Sequence, residues 1–155
     1  MIFNIGGKVD YSCNLYDYGD TCSSVTGGFT ENKESNAILT WQDSSIYYGI
    51  ASTEKISGTF FTKNKIDLSE YKSLKMLITT DKAAPSETPW QASMFIDDVN
   101  TGGYFTDVFN RTAYVGATTL GSQTLTLDIS SYTGSYYVGW QWNALSGTIY
   151  KIWLE

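Results

Sequence analysis

The feature that most constrains the fold is a two-residue alternation of apolar and polar side chains that recurs along the chain. It is clearest in LKMLITT (74–80), QASMFID (91–97), TLTLDIS (124–130), SYYVGWQW (135–142) and TIYKIWLE (148–155). A period of two places successive side chains on opposite faces of a strand, whereas a helix repeats every 3.6 residues. The chain is therefore predicted to consist of strands that each bury one face.

The spacing of these segments predicts how the strands are arranged. Clusters of Gly, Ser, Asn, Asp and Thr separate roughly nine short strands, and the best helical candidate is a single turn in IDLSEYKS (66–73). We expect an all-β fold, a two-sheet antiparallel β-sandwich of the jelly-roll type, with a closed barrel as the structural alternative. Residues 1–155 are predicted to form one domain, with 1–12 as an N-terminal extension or a link to a longer chain.

Composition excludes several functions. The net charge is −6 and the chain has no histidine, so it should repel nucleic acid, and it lacks the residue on which most triads and many zinc sites depend. Its apolar runs are too short to span a bilayer, so no membrane insertion is expected. Carboxylates remain as candidate catalysts, but no catalytic constellation is recognisable, and we predict that the chain is not an enzyme.

The two cysteines leave two alternatives open. Cys13 and Cys22 could close a disulfide across a small hairpin, or they could be two small buried side chains. Two thiols are too few for an all-cysteine zinc site.

Several phrases along the chain together resemble a known class of module. They are KIDLSEYKSLKMLI (65–78), LTLDISSYTGSYYVGWQW (125–142) and IYKIWLE (149–155). They resemble galactose-binding-like jelly-roll modules, most closely those appended to tail and head-decoration proteins of Firmicutes phages. Carbohydrate-binding modules of secreted glycosidases share the pattern at the C-terminal end. The resemblance implies a non-catalytic virion module that attaches to host-surface or mucus glycans, contacts other virion proteins and forms a homo-oligomer.

Two other functions compete with this one. The chain could be a carbohydrate-binding module of a secreted bacterial glycoside hydrolase, located outside the cell or on its surface. It could also be a purely structural assembly domain, in which case all of its aromatic rings should be buried.

Sugar binding has physical requirements that select candidate residues. The C–H groups of a pyranose pack on a rigid, partly open aromatic ring, while planar polar side chains take the hydroxyls. Trp90 lies in a polar loop and Trp142 at a strand end, whereas Tyr104 and Tyr47 each belong to a pair of adjacent aromatic residues in a strand, of which one should be open. The polar candidates are Gln141, which faces away from Trp142, and Asn143, which follows it. The candidates are Trp90, Trp142, Tyr104, Tyr47, Gln141 and Asn143.

The remaining tryptophans are assigned to structure. Alternation around Val138 places Trp140 in the core, and we also expect Trp41, which closes a short strand, to be buried. Trp153 faces away from Ile152 and is expected to cover a second small cluster.

One cofactor is considered. Asp97, Asp98 and Asn100 are candidate ligands for a structural calcium ion, which prefers six to eight oxygen ligands. Adjacent side chains on a strand point apart, so Asp97 and Asp98 could act together only if the strand has ended. No other cofactor is expected.

Overall fold

The computed structural model describes residues 2–5, 8–21, 25, 27–51, 57–83, 92–99 and 111–155. These residues form strands and turns, and none of them is helical. The described part of the chain accordingly offers no helix that is long and apolar enough to cross a membrane.

The strands, numbered in chain order, form two large antiparallel sheets and one hairpin. The seven-stranded sheet contains β3 (Cys13–Asp17), β4 (Asp20–Thr21), β6 (Ala37–Trp41), β7 (Ile46–Ile50), β10 (Ser73–Ala83), β13 (Gly121–Asp128) and β15 (Leu145–Leu154). The six-stranded sheet contains β5 (Phe29–Lys33), β8 (Ser57–Thr62), β9 (Ile66–Asp67), β11 (Ala92–Asp97), β12 (Ala113–Gly116) and β14 (Ser135–Asn143). The hairpin pairs β1 (Ile2–Ile5) with β2 (Lys8–Tyr11).

Each large sheet is organised around one long C-terminal strand. β15 pairs with β10 on one edge and with β7 and β3, one after the other, on its second edge. β14 likewise pairs with β11 on one edge and with β8 and β9 on the other. The all-β, two-sheet antiparallel architecture predicted from the alternation is therefore confirmed.

The core lies between the two sheets and is filled by the side chains that the alternation assigned to it. In β10, β11 and β14 the predicted inward residues are fully buried except Tyr136 at the start of β14, which is half-buried; the buried ones are Leu74, Met76, Ile78, Ala92, Met94, Ile96, Val138 and Trp140. Across the core, the Tyr48 ring from one sheet packs against Trp140 of the other, with centroids 5.3 Å apart. Such tilted aromatic contacts add about 0.5–1.5 kcal/mol beyond the area they bury.

Two local predictions were wrong. The segment 66–73 forms β9 and then a turn in which Tyr71 N–H donates to the Leu68 carbonyl (3.0 Å), rather than a helical turn. Alternation places Tyr150 on the inward face with Ile152 and Leu154, but in β15 Ile149 faces the core instead, because the pairing with β10 skips Tyr150 between Lys151 and Ile149. An extra residue in a ladder shifts the alternation by one position.

Candidate functional sites

Trp142 was predicted to be partly exposed at the rim, and this is wrong. Its side chain is 0% exposed, and its indole N–H donates to the Gly49 carbonyl at 2.9 Å. The indole also lies against Gly58, where an added Cβ would come within 2.3 Å of the ring. The turn that follows β14 therefore does not expose the indole to solvent, and Trp142 is a core residue.

The two polar candidates lie on the face of β14 opposite to Trp142, as alternation predicts for Gln141. Gln141 is buried and accepts a hydrogen bond from Arg111 Nε at 3.0 Å. Asn143 is half-buried, and its Oδ1 accepts from Ser57 Oγ at 3.1 Å. Both side chains therefore belong to the outer face of the six-stranded sheet, away from Trp142.

Tyr47 lies on the seven-stranded sheet. It is half-buried, and its ring lies along β7 over Gly49, at which an added Cβ would be 2.9 Å from the Tyr47 hydroxyl. Its neighbour Tyr48 is fully buried. The two remaining aromatic candidates, Trp90 and Tyr104, fall outside the described residues.

Two of the three candidate calcium ligands, Asp97 and Asp98, lie among the described residues and differ in their surroundings. Asp97 is buried, with Oδ2 paired to Arg111 Nη1 at 3.1 Å and Oδ1 accepting from Thr112 Oγ1 at 3.4 Å. Asp98 is exposed, and Asn100 lies outside the described residues. Among the residues that are described, no three acidic or thiol side chains are close enough to hold a metal ion. Asp97 is therefore part of an ion pair, and its two oxygens are already used by protein donors.

Only one of the two cysteines, Cys13, lies among the described residues. Cys13 is a half-buried free thiol on β3, and its Sγ lies 3.8 Å from the Asn14 carbonyl, to which it donates. Cys22 falls outside the described residues.

The outer face of the six-stranded sheet contains a buried cation that the sequence analysis did not anticipate. The Arg111 guanidinium stacks on the Phe95 ring at 3.9 Å while it binds Asp97 and Gln141. Burial lowers the pKa of Arg111, and the hydrogen bond and charge of Asp97 oppose that shift. Its Nη2 has no hydrogen-bond acceptor among the described residues. Because the side chain of Arg111 is only 3% exposed, this network joins β11 to β14 and is not itself an open surface.

Trp41, which was wrongly predicted to be core, has an open aromatic ring. Trp41 is 41% exposed at the end of β6. Its indole stacks on Phe29, with centroids 5.5 Å apart and planes 29° apart, and meets Phe60 and Tyr16 at steep angles. Phe29 and Phe60 belong to the six-stranded sheet, so the ring bridges the two sheets at the rim of the sandwich. We call Trp41 and these three supporting rings the rim platform.

A carboxylate fixes the orientation of the indole. Trp41 Nε1–H donates to Oε2 of Glu31, which is exposed on β5, at 3.3 Å. The stacking contact occupies one face of the ring, and the hydrogen bond fixes one edge. The exposed area therefore belongs to an aromatic surface that is held in place before any ligand arrives.

The chain beyond Trp41 makes a tight turn that borders the rim platform. Ser45 Oγ donates to Gln42 Oε1 at 2.7 Å, and Gln42 N–H donates to the Ser45 carbonyl at 2.9 Å. The β3–β4 turn packs directly on this segment, since a Cβ on Gly19 would come within 2.0 Å of the Asp43 carbonyl oxygen. A glycine with a φ of +106° is therefore required there.

The sequence does contain a feature that indicates a rim position for Trp41, although alternation alone does not reveal it. Ala37, Leu39 and Trp41 share one face of β6, and their burial falls from buried through half-buried to exposed along the strand. A polar run, Gln42-Asp43-Ser44-Ser45, follows immediately. An inward-facing aromatic at the last position before such a run is a candidate for the rim.

Comparisons with known proteins identify the fold. Neither a family model nor a curated protein sequence matches the chain. A family 29 carbohydrate-binding module from Piromyces equi matches with a TM-score of 0.51 at 10% identity, over 93% of this chain and 89% of that one. A variant of the module CBM29-2, complexed with cellulohexaose, matches with a TM-score of 0.56 at 7% identity, over 93% of this chain and 89% of that one.

This chain is similar in fold to family 29 carbohydrate-binding modules. A third structure, of another family 29 module, gives the same TM-score of 0.56 at 7% identity, over 93% of this chain and 87% of that one. The predicted jelly-roll sandwich is therefore confirmed. At these identities the likeness concerns the fold, because sites vary freely on a shared scaffold.

Proposed function

We propose that this chain is a non-catalytic glycan-binding module that holds a sugar ring on Trp41. The observation that carries the proposal is an indole that is 41% exposed and yet held by four groups, namely Phe29, Phe60, Tyr16 and the Glu31 carboxylate. A ring that is already ordered loses little conformational entropy when a ligand packs on it, so more of the contact energy appears as affinity.

The fold likeness supports the same class of function. Its structural neighbours are carbohydrate-binding modules, one of them solved with cellulohexaose. The likeness alone does not place a site, since a fold carries many functions. The rim platform supplies what the fold does not, which is an aromatic face with a hydrogen-bonding carboxylate at its edge.

The purely structural alternative predicted that every aromatic ring is buried. Trp41 and Tyr18 are 41% and 51% exposed, so that expectation is wrong. The virion setting, the contacts with virion proteins and the homo-oligomer remain predictions from the sequence resemblance, as does the alternative of a module from a secreted glycoside hydrolase.

The test is affinity electrophoresis of the chain through native gels that contain neutral polysaccharides such as hydroxyethyl cellulose, xylan, mannan and galactan. We expect at least one polymer to retard the chain, and we expect Trp41→Ala to weaken that binding about tenfold or more. Tenfold corresponds to about 1.4 kcal/mol, which is within the range of a single aromatic contact. Trp41→Phe should keep part of the affinity because it keeps a ring.

A matched control separates the rim platform from exposed aromatics in general. Tyr114 is 37% exposed on β12, and β12 and β5 are the opposite edge strands of the six-stranded sheet. Tyr114→Ala should leave the retardation unchanged, and thermal unfolding followed by circular dichroism should show that the variants are folded. Retardation that survives Trp41→Ala in a folded protein, or no retardation in any polymer, would refute the proposal.

A further inference from the structure

Glu31 occupies a position from which it can control which sugars reach the rim platform. It is exposed, it pairs across the ladder with Phe60, and one of its oxygens accepts the indole N–H of Trp41. That hydrogen bond uses only part of the carboxylate, because an ionised carboxylate offers about four lone-pair sites. The charge therefore stands at the edge of the surface on which we place the sugar.

We infer that Glu31 is a specificity-determining residue that makes the rim platform select uncharged sugars and reject acidic ones. The inference rests on the proposed function. A pyranose stacked on the indole places its ring substituents beside the ring edge, where the Glu31 carboxylate can accept a hydroxyl hydrogen bond. Such bonds to a charged acceptor are roughly twice as strong as neutral ones. A uronic acid in the same place would set a second carboxylate near Glu31.

The size of the repulsion can be worked from Coulomb's law. Two unit charges about 6 Å apart in a water-like medium repel enough to weaken binding about threefold, and more where water is partly displaced. A second exposed carboxylate, that of Asp43, lies in the turn after β6, two residues beyond Trp41. The cation closest to Glu31 in sequence is Lys33, two residues along β5 on the same face.

The charge can be removed while the hydrogen bond to the indole is kept. Glu31→Gln retains an oxygen acceptor for Trp41 Nε1–H, whereas Glu31→Ala loses both the acceptor and the charge. Asp98→Asn is the matched control, because it removes the same charge from an exposed site three strands away from β5. Three strand spacings are about 14 Å, which exceeds the screening length of about 8 Å at physiological salt.

The experiment uses polymers that share a backbone and differ in charge. Affinity gels are run with hydroxyethyl cellulose against carboxymethyl cellulose, with mannan against mannuronan, and with fully methyl-esterified against de-esterified homogalacturonan. For whichever backbone binds, the unmodified chain should prefer the neutral member at least threefold. Glu31→Gln should reduce that preference at least twofold by improving binding to the acidic member, and Asp98→Asn should leave it unchanged.

Salt dependence and quenching give independent readouts. Binding of the acidic polymer to the unmodified chain should strengthen as salt is raised, because repulsion between exposed charges is screened. Glu31→Ala should also increase acrylamide quenching of Trp41, whereas Glu31→Gln should not.

The outcomes separate this inference from the proposed function. Trp41-dependent binding that shows equal affinity for the neutral and acidic members, or the same preference in Glu31→Gln as in the unmodified chain, would overturn the role of Glu31 and leave the glycan-binding function standing. Absence of Trp41-dependent binding to all six of these polymers and also to xylan and galactan would overturn both.

Discussion

The buried pair of Arg111 and Asp97 gives the sharpest stability prediction. The two side chains are each 3% exposed, and their charged atoms lie 3.1 Å apart. Removing one partner leaves an uncompensated buried charge, which typically costs about 3–5 kcal/mol. We therefore expect Asp97→Ala and Arg111→Met each to lower the free energy of unfolding by about that amount. In Asp97→Ala the guanidinium keeps only Gln141 and the Phe95 ring as described partners.

The double variant distinguishes loss of a charge pair from loss of packing. Removing both charges leaves neither one unpaired, so Asp97→Ala/Arg111→Met should be no less stable than either single variant. The exposed pair of Lys75 and Glu155, at 2.6 Å with side chains 28% and 48% exposed, is the control. Lys75→Met should cost no more than about 1 kcal/mol, because surface ion pairs contribute little.

The assay is urea denaturation followed by tryptophan fluorescence and far-ultraviolet circular dichroism, with midpoints compared at a constant slope. Single variants that each cost less than about 1 kcal/mol, with additive effects in the double variant, would refute the reasoning. That result would mean that water reaches the guanidinium and that the outer face of the six-stranded sheet is open in solution.

Two further predictions test packing and charge elsewhere. Gly58→Ala should destabilise the fold by about 1–3 kcal/mol in urea melts, because the new Cβ would meet the Trp142 ring at 2.3 Å; an unchanged midpoint would contradict the close contact. The Ser130 hydroxyl and N–H donate to Asp128 and lower the pKa of that carboxyl. Because the folded pKa lies below the unfolded one, this contribution is present at neutral pH and is lost as the pH falls below about 4. Ser130→Ala should therefore flatten the acid limb of a plot of stability against pH and leave the alkaline limb unchanged.

The fold could be predicted from the sequence because alternation reports directly on which side of a sheet a residue faces. It succeeded in β10, β11 and β14, whose inward residues are fully buried apart from Tyr136 at the start of β14. It failed at Tyr150, because a bulge changes the phase of the pattern and leaves no mark in the sequence. The failure at residues 66–73 has another cause. Asp67 does accept a hydrogen bond from Ser69 N–H, as a helix N-cap would, but the same bond also forms in a turn.

The site was harder to predict because alternation shows which side of a sheet a residue faces but not how deeply its side chain is buried. Trp41 and Trp142 both face inward, yet one is exposed and the other is fully buried. What decides between them is where each strand lies relative to the margin of the opposite sheet. Trp142 lies in the central strand of its sheet, whereas Trp41 ends an edge strand. Strand order depends on contacts between distant segments, which a single sequence does not reveal.

The way in which Trp41 rests on Phe60 links recognition to the integrity of the interior. Phe60 is fully buried and touches both the rim indole and Phe29. A substitution that loosened this ring would tilt the exposed indole, so affinity and melting temperature should change together rather than independently. Anyone redirecting this module to a new sugar would therefore do better to vary the polar turn after β6 and leave the ring stack untouched.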